Sequence, residues 1–236
     1  MRGGRLVHTT VAAVVLTVAA GAVWYLADQG DRPVPAAARS APAGTGDPVP
    51  PSSTRPPVDP VPDAQRILRE LGYQVREVSG KLDARTRHAV LAFQKVHGLA
   101  RTGELDAPTL ERLDTPVPPH PESLDPGFHL EVDLDRQVVF TVRDGTVRRI
   151  YDASTGKPGK ATPPGDYRMR YQIDGMRYAP LGPMYRPSYF TTTGLAIHGG
   201  EPVEARPASN GCVRLTNPSI DELFPRLGPG TRVLVY

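Results

Sequence analysis

Two side chains in this 236-residue chain can do nucleophilic chemistry together: Cys212, its only cysteine, and His198, fourteen positions earlier. A thiol attacks as thiolate, and a nearby imidazole either takes its proton or, as imidazolium, lowers its pKa. Glycine precedes the sulfur at Gly211 and follows the imidazole in Ala196-Ile-His198-Gly-Gly200. Glycine lets backbone N–H groups approach a reacting carbonyl, which an oxyanion site requires. These residues predict Cys212 as nucleophile, His198 as base, and the amides of Gly211 and Cys212 as oxyanion donors. The competing reading is structural, because a free cysteine is among the most buried residue types and packs as a small hydrophobe. Against it, Gly211 before the thiol and Arg214 after it make a polar, turn-like setting.

The N-terminus bears on the same choice. Met1 to Arg5 carries two arginines, and an uncharged, mostly apolar run follows from Val11 to Ala27. Residues 1–27 therefore read as an export signal with its basic end inside, either a signal peptide or a signal-anchor. Ala20-Gly-Ala22 fits a cleavage site, whereas the continuation through Trp24 and Tyr25 is nearly long enough to span and favours an uncleaved anchor. No cysteine lies near the leader, which excludes lipoprotein attachment. Exported proteins usually pair their cysteines, and one cysteine cannot form an internal bridge. A lone thiol in an oxidising compartment is a liability unless it is sealed away, paired between chains or used chemically.

The elements that would position this pair fall into two folded regions separated by proline. Residues 28–60 are Pro, Ala, Gly, Ser and Thr with isolated charges, a composition that cannot bury enough surface to order itself, and read as a spacer. Residues 61–113 predict three short helices. Asp63 caps the first, which carries Ile67, Leu68 and Leu71 and stops at Gly72. An internal echo follows, Gly80-Lys-Leu-Asp83-Ala-Arg-Thr86 and Gly103-Glu-Leu-Asp106-Ala-Pro-Thr109, in which glycine turns, leucine packs and aspartate caps the next helix. Residues 114–126 form a second proline-rich joint, stiff enough to hold two domains apart.

From residue 127 to 236 the pattern becomes strands: Phe128-His-Leu-Glu-Val-Asp, Val138-Val-Phe-Thr-Val and Thr146-Val-Arg-Arg-Ile-Tyr, with Asp144-Gly145 as a hairpin turn, and a last strand at Thr231–Tyr236. Asn217 and Pro218 start one helix through Leu223. Asp174 to Thr193 lacks clean alternation and reads as a loop or lid over the site, or an ordinary surface connection. The fold class is multidomain, a small all-α three-helix domain followed by a mostly β, sandwich-like domain with few helices.

Residues 61–113 resemble the peptidoglycan-binding domain, through Gln65 and Leu68, Leu71-Gly-Tyr73, Gly80 with Thr86, Ala89-Val90, Phe93-Gln94, Gly98-Leu99, and Gly103 with Thr109 and Leu113. The other reading is a three-helix module without a ligand. Residues 127–236 resemble the L,D-transpeptidase (YkuD-type) catalytic domain, through Ser154-Thr-Gly156, Thr162-Pro-Pro-Gly165, Ile197-His-Gly199, Ser209-x-Gly211-Cys212-Val-Arg214-Leu215 and Asn217. Asn210 stands where many members have a second histidine, a change expected to tune the site or its substrate contacts. The resemblance implies acyl transfer on peptidoglycan stem peptides: Cys212 forms a thioester with release of D-Ala, and an amine of a neighbouring stem displaces it. It also implies that the Gly199 carbonyl orients the imidazole and that Ser209, Asn210 and Arg214 contact substrate, with Arg214 either binding a stem carboxylate or bracing its loop. Partners implied are stem peptides, the glycan polymer and, if the leader is uncleaved, the membrane.

No cofactor is expected, and no metal: His88 and His97 lie too far apart along one helix and lack a third ligand. The net charge of +3 suits loose attraction to an anionic polymer and gives little reason to expect nucleic acid. Cysteine follows histidine here, opposite to the order in papain-like peptidases. With water in place of the acceptor amine the same site would be an L,D-carboxypeptidase, and with an inert thiol the chain would be a non-catalytic wall-binding protein.

Overall fold

Helix boundaries in the first folded region follow its aspartates and glycines. In this computed structural model, which describes residues 59–236, α1 spans Val61–Glu70, α2 Ala84–Val96 and α3 Ala107–Asp114. The leader at 1–27 and all but the end of the spacer at 28–60 lie outside the described residues. Asp83 and Asp106 cap α2 and α3, each accepting from the backbone N–H three residues on, at 2.7 Å from Thr86 and 3.0 Å from Thr109. Asp63 is no cap. It sits inside the first turn of α1, where it pairs with Arg66, and Asp59 accepts the Val61 N–H instead.

The echo extends to two buried glutamines. Gln65 accepts from the Gly80 N–H at 2.9 Å and donates to Thr86 Oγ1, and Gln94 accepts from the Gly103 N–H at 2.8 Å and donates to Thr109 Oγ1. Each amide thus ties a glycine turn to the helix that follows it, satisfying groups that burial would otherwise leave unpaired.

The second region is built on two sheets. One has the order β3-β2-β1-β10-β4, with β1 Phe128–Asp133, β2 Val138–Arg143, β3 Thr146–Asp152, β4 Gly165–Arg168 and β10 Arg232–Val235. The other has the order β5-β7-β8-β9, with β5 Tyr171–Gln172, β7 Gly182–Tyr189, β8 Ala196–Gly199 and β9 Val213–Leu215; β6, Met176–Ala179, pairs with β7. Leu130, Val132, Val139 and Val233 from the first sheet meet Ile197, Val213 and Leu215 from the second in one core, closed by Ile220 and Leu223 of α4, Asn217–Leu223. Thr216, one residue before the expected Asn217, caps α4 by accepting from the Ser219 N–H. Helices followed by a mostly β, sandwich-like domain is the architecture expected from the sequence.

The stretch 174–193 is not a loop. It holds the whole β6–β7 hairpin, with a tight turn at Pro180-Leu181. Alternation is missing from its sequence because β6 is largely exposed and the start of β7 only half-buried, and because the ladder to β8 shifts register between Tyr185 and Ser188.

The joint at 114–126 does not hold the two regions apart. Val138 through Val142 is buried throughout, apolar but for Thr141 and without alternation, as in a strand covered on both faces. Val139 faces the sandwich core, while Val138, Phe140, Val142 and Ile150 pack under Leu68, Tyr73, Ala89 and Phe93 of the helices. At the centre of this seam Lys95 of α2, with a fully buried side chain, donates through Nζ to Asp152 Oδ1 at 2.5 Å, to the Ala153 carbonyl at 2.8 Å and to the Gln137 carbonyl at 3.1 Å. His88 Nδ1 meets the other Asp152 oxygen at 2.7 Å. The joint is itself fastened to the sheet, where the buried Glu131 carboxylate accepts from the amides of Glu122 and Ser123.

Candidate active site

The parallel pairing of β8 with β9 brings the two reactive side chains to one side of the second sheet. Ile197 lies opposite Val213 and His198 opposite Arg214. Side chains alternate along a strand, so with Ile197 and Val213 in the core, His198, Cys212 and Arg214 face away from it together. All three line one cavity of about 540 Å³. Its far wall is the β6–β7 turn, Ala179 to Met184, and its rim carries Gly200, Glu201 and Asn210.

His198 is held in one orientation. Its Nδ1 lies 2.9 Å from the Gly199 carbonyl oxygen, an acceptor, so Nδ1 carries the hydrogen and Nε2 is the free lone pair. Burial pushes the His198 pKa below its ordinary value; the bond to Gly199 opposes this, and the positive charge of Arg214 adds to it. Burial pushes the Cys212 thiol up, against the hydrogen bond from the Ala196 backbone and the charge of Arg214. Both shifts favour the uncharged forms. The resting pair at neutral pH is thus a neutral thiol with a neutral imidazole, the arrangement for general-base activation rather than for a standing ion pair.

The loop before β9 is fixed by short bonds. Ser209 Oγ donates to the Cys212 carbonyl at 2.5 Å and accepts from the Gly211 N–H at 3.2 Å. Ser209 is 1% exposed, and its hydroxyl braces this loop while the residue also lines the cavity; the Gly211 amide, expected as an oxyanion donor, is engaged by Ser209 Oγ. Gly211 has φ +111°, and a Cβ there would approach Leu195 Cδ2 to 3.0 Å, so glycine is needed for the turn. Arg214 donates to the Pro202 carbonyl and pairs with Glu204 at 3.1 Å, which makes it a brace for the 200–206 loop as well as a wall of the cavity.

Residues 127–235 match the family described as the L,D-transpeptidase catalytic domain, and residues 58–113 match the peptidoglycan binding domain family. A crystallised L,D-transpeptidase fragment from Xylanimonas cellulosilytica is 39% identical, with a TM-score of 0.71 over 75% of this chain and 92% of that one. The chain belongs to the L,D-transpeptidase family. L,D-transpeptidases from Stackebrandtia nassauensis (24% identity, TM-score 0.48, 75% of this chain and 90% of that one) and Mycobacterium smegmatis (20%, 0.42, 46% and 58%) are more distant. No curated protein sequence matches the chain. With a peptidoglycan-binding domain ahead of the catalytic one, this L,D-transpeptidase acts on the cell wall, and peptidoglycan is its partner.

Sequence reasoning missed several residues that build the transpeptidase site. Thr162, which carries part of the family resemblance but is given no role by the sequence, is buried and clamps the thiol loop, accepting from the Gly156 N–H at 2.9 Å and donating to the Gly211 carbonyl at 2.8 Å. Its polar side chain beside Pro163-Pro164 was the available signal. The Thr155 carbonyl accepts from Ala208 and Ser209, and Thr155 is in turn held by the side chain of Gln137. Nothing in the spacing identifies Glu204 as the partner of Arg214. The two histidines of α2 and its C-cap serve packing: His88 pairs across the seam, and His97 lies against Phe93 with the rings tilted at 53° and burial lowering its pKa to about 4.

Proposed function

We propose that Cys212 is the nucleophile of a peptidoglycan transpeptidation that runs through a cysteinyl thioester. The observation that carries this reading is the shared cavity, in which His198, with Nδ1 tied to Gly199, presents Nε2 on the same sheet face as the only sulfur nucleophile. Nε2 takes the thiol proton as sulfur attacks the carbonyl before a terminal D-Ala. The carbonyl oxygen becomes an oxyanion facing the Cys212 amide, and the imidazolium gives its proton to the departing D-Ala amine. The thioester keeps the acyl bond energy for a second step without ATP. An amine from a neighbouring stem loses a proton to Nε2, attacks the thioester carbonyl and expels the thiolate, which recovers that proton. Asn210 and Arg214 line the path of the stem, and residues 1–27, as an anchor, would hold the enzyme at the outer membrane face.

Incubation with purified tetrapeptide stems tests this. Intact mass should rise by the acyl group on Cys212, and cross-linked dimers should accumulate. Cys212→Ala should form neither adduct nor dimer. Tripeptide without dimer would mean hydrolysis, and no adduct on the native protein would leave a wall-binding protein without this chemistry.

A further inference from the structure

Away from the catalytic cavity, a cleft of about 220 Å³ opens where the helical region meets the second, and four arginines from four separate segments line it. Arg69 comes from the last turn of α1, Arg76 from the chain after Tyr73, Arg85 from the first turn of α2, and Arg149 from β3. One carboxylate lines it too, Glu222 of α4, which pairs with Arg149 at 2.9 Å. Among the described residues Arg69, Arg76 and Arg85 form no ion pair, so three of the four guanidinium groups in the cleft have no carboxylate in direct contact. The floor is Gln74 and Val75, both buried, and Gln74 is fixed through its amide to Pro218 and Ser219.

This arrangement runs against local stability. Guanidinium groups repel at close range, and behind its Asp83 cap the first turn of α2 bears Arg85 and Arg87 with no acidic residue, the less favoured sign near the positive end of a helix dipole. Arg87 is compensated by Glu104, and Arg85 is not. The nearest acid in sequence, Asp83, caps α2 and feels the Arg85 charge without forming an ion pair with it. Local conflicts of this kind are found where function is placed, and an anion in the cleft would remove this one. Arginine forks grip oxyanions in pairs of parallel bonds. A carboxylate offers two oxygens in one plane, whereas a phosphate projects its oxygens tetrahedrally and can be met from several sides, as four converging segments would meet it.

We propose that this cleft binds the phosphate groups of a phosphodiester polymer, giving the enzyme a second hold on its surroundings besides the peptidoglycan-binding domain. The site is separate from the catalytic cavity and does not depend on the acyl-transfer reading. The full chain should be titrated by calorimetry with synthetic poly(glycerol phosphate) between about 50 and 200 mM salt, where phosphate contacts make affinity fall steeply. Three unpaired arginines at about 0.7 per phosphate on a flexible strand predict a slope of log K against log salt near −2. Arg76→Gln with Arg85→Gln should bring the slope to about −0.7 and weaken binding at low salt about tenfold or more. Arg177→Gln, on the β6–β7 hairpin, should change neither. Arg85→Gln alone, at a half-buried position in the first turn of α2, provides a folded variant should the double one melt early. Absence of saturable binding, an unchanged slope in the variants, an equal loss from Arg177→Gln, or equal affinity for polygalacturonate at matched charge would each overturn the proposal.

Discussion

Replacing Lys95 by Met tests whether the seam between the two regions is held by its buried ion pair. Methionine keeps the length of the side chain and removes its charge. The substitution deletes the bonds to Asp152, Gln137 and Ala153 and leaves the Asp152 carboxylate, 1% exposed, facing only His88. Removing one partner of a buried pair costs about 3–5 kcal/mol, because the other charge stays buried without compensation. For a unit of this size each kcal/mol lowers Tm by about 2–4 °C, so the expected fall is about 10 °C. Urea unfolding followed by tyrosine fluorescence and far-ultraviolet dichroism gives the free energy. The native protein should show one transition by both probes, because the helices and β2 share a core. Lys95→Met with Asp152→Leu should regain most of the loss, since removing both charges removes the desolvation problem as well. A cost below about 1 kcal/mol for Lys95→Met would refute the reasoning, because it would place the lysine in solvent or the helices off the sheet.

Three further predictions concern the site and its support. Arg214→Met removes the positive charge that opposes the effect of burial on the thiol, so iodoacetamide labelling of Cys212 at pH 8 should slow and its profile should move to higher pH; an unchanged profile would mean that Arg214 acts only as a brace. Gly199→Ala places a methyl 2.6 Å from Asn217 Oδ1 and 3.2 Å from the Asn217 Cα, which should push β8 from α4, cost about 1–3 kcal/mol and impair transfer by displacing the carbonyl that orients His198; native activity and stability in this variant would show that α4 yields freely. The hydrogen bond to Asp152 holds the His88 pKa above its ordinary value, with burial opposing it, so charged His88 stabilises the seam fully below about pH 6.5 and the contribution fades as pH rises through the raised folded value. The difference in Tm between native protein and His88→Gln should accordingly be larger at pH 5.5 than at pH 9, and a difference independent of pH would count against the pairing.

What the sequence made legible is what local chemistry decides. Asp83 and Asp106 could be read as caps because a cap needs only a carboxylate and an amide three residues away, and both residues sit beside their helices in the chain. Asp144-Gly145 could be read as a hairpin turn because both adopt positive φ, at 52° and 67°. His198 and Cys212 could be paired from type and neighbours alone. Features set by distant partners were not legible. The Val138–Val142 run gave a correct strand, but its lack of alternation, the sign of burial on both faces, was passed over in favour of two separated domains. Lys95 looks like any helix-surface lysine until Asp152, 57 residues on, is known to face it. The β6–β7 hairpin hid because exposed strands have no apolar period to display.

Lys95 reaches the Gln137 carbonyl, the Gln137 amide holds Thr155, the Thr155 carbonyl takes the Ser209 N–H, and Ser209 holds the Cys212 carbonyl. Cutting this protein at its proline-rich joint would therefore do more than discard an accessory part. A truncated C-terminal half would bare Phe140 and Ile150 to water, strand Asp152 without its cation and slacken the anchorage of the nucleophile's own turn. Any turnover lost on truncation would then report damage to catalysis as well as lost affinity for the wall, and only point substitutions on the outward face of the helices could separate the two.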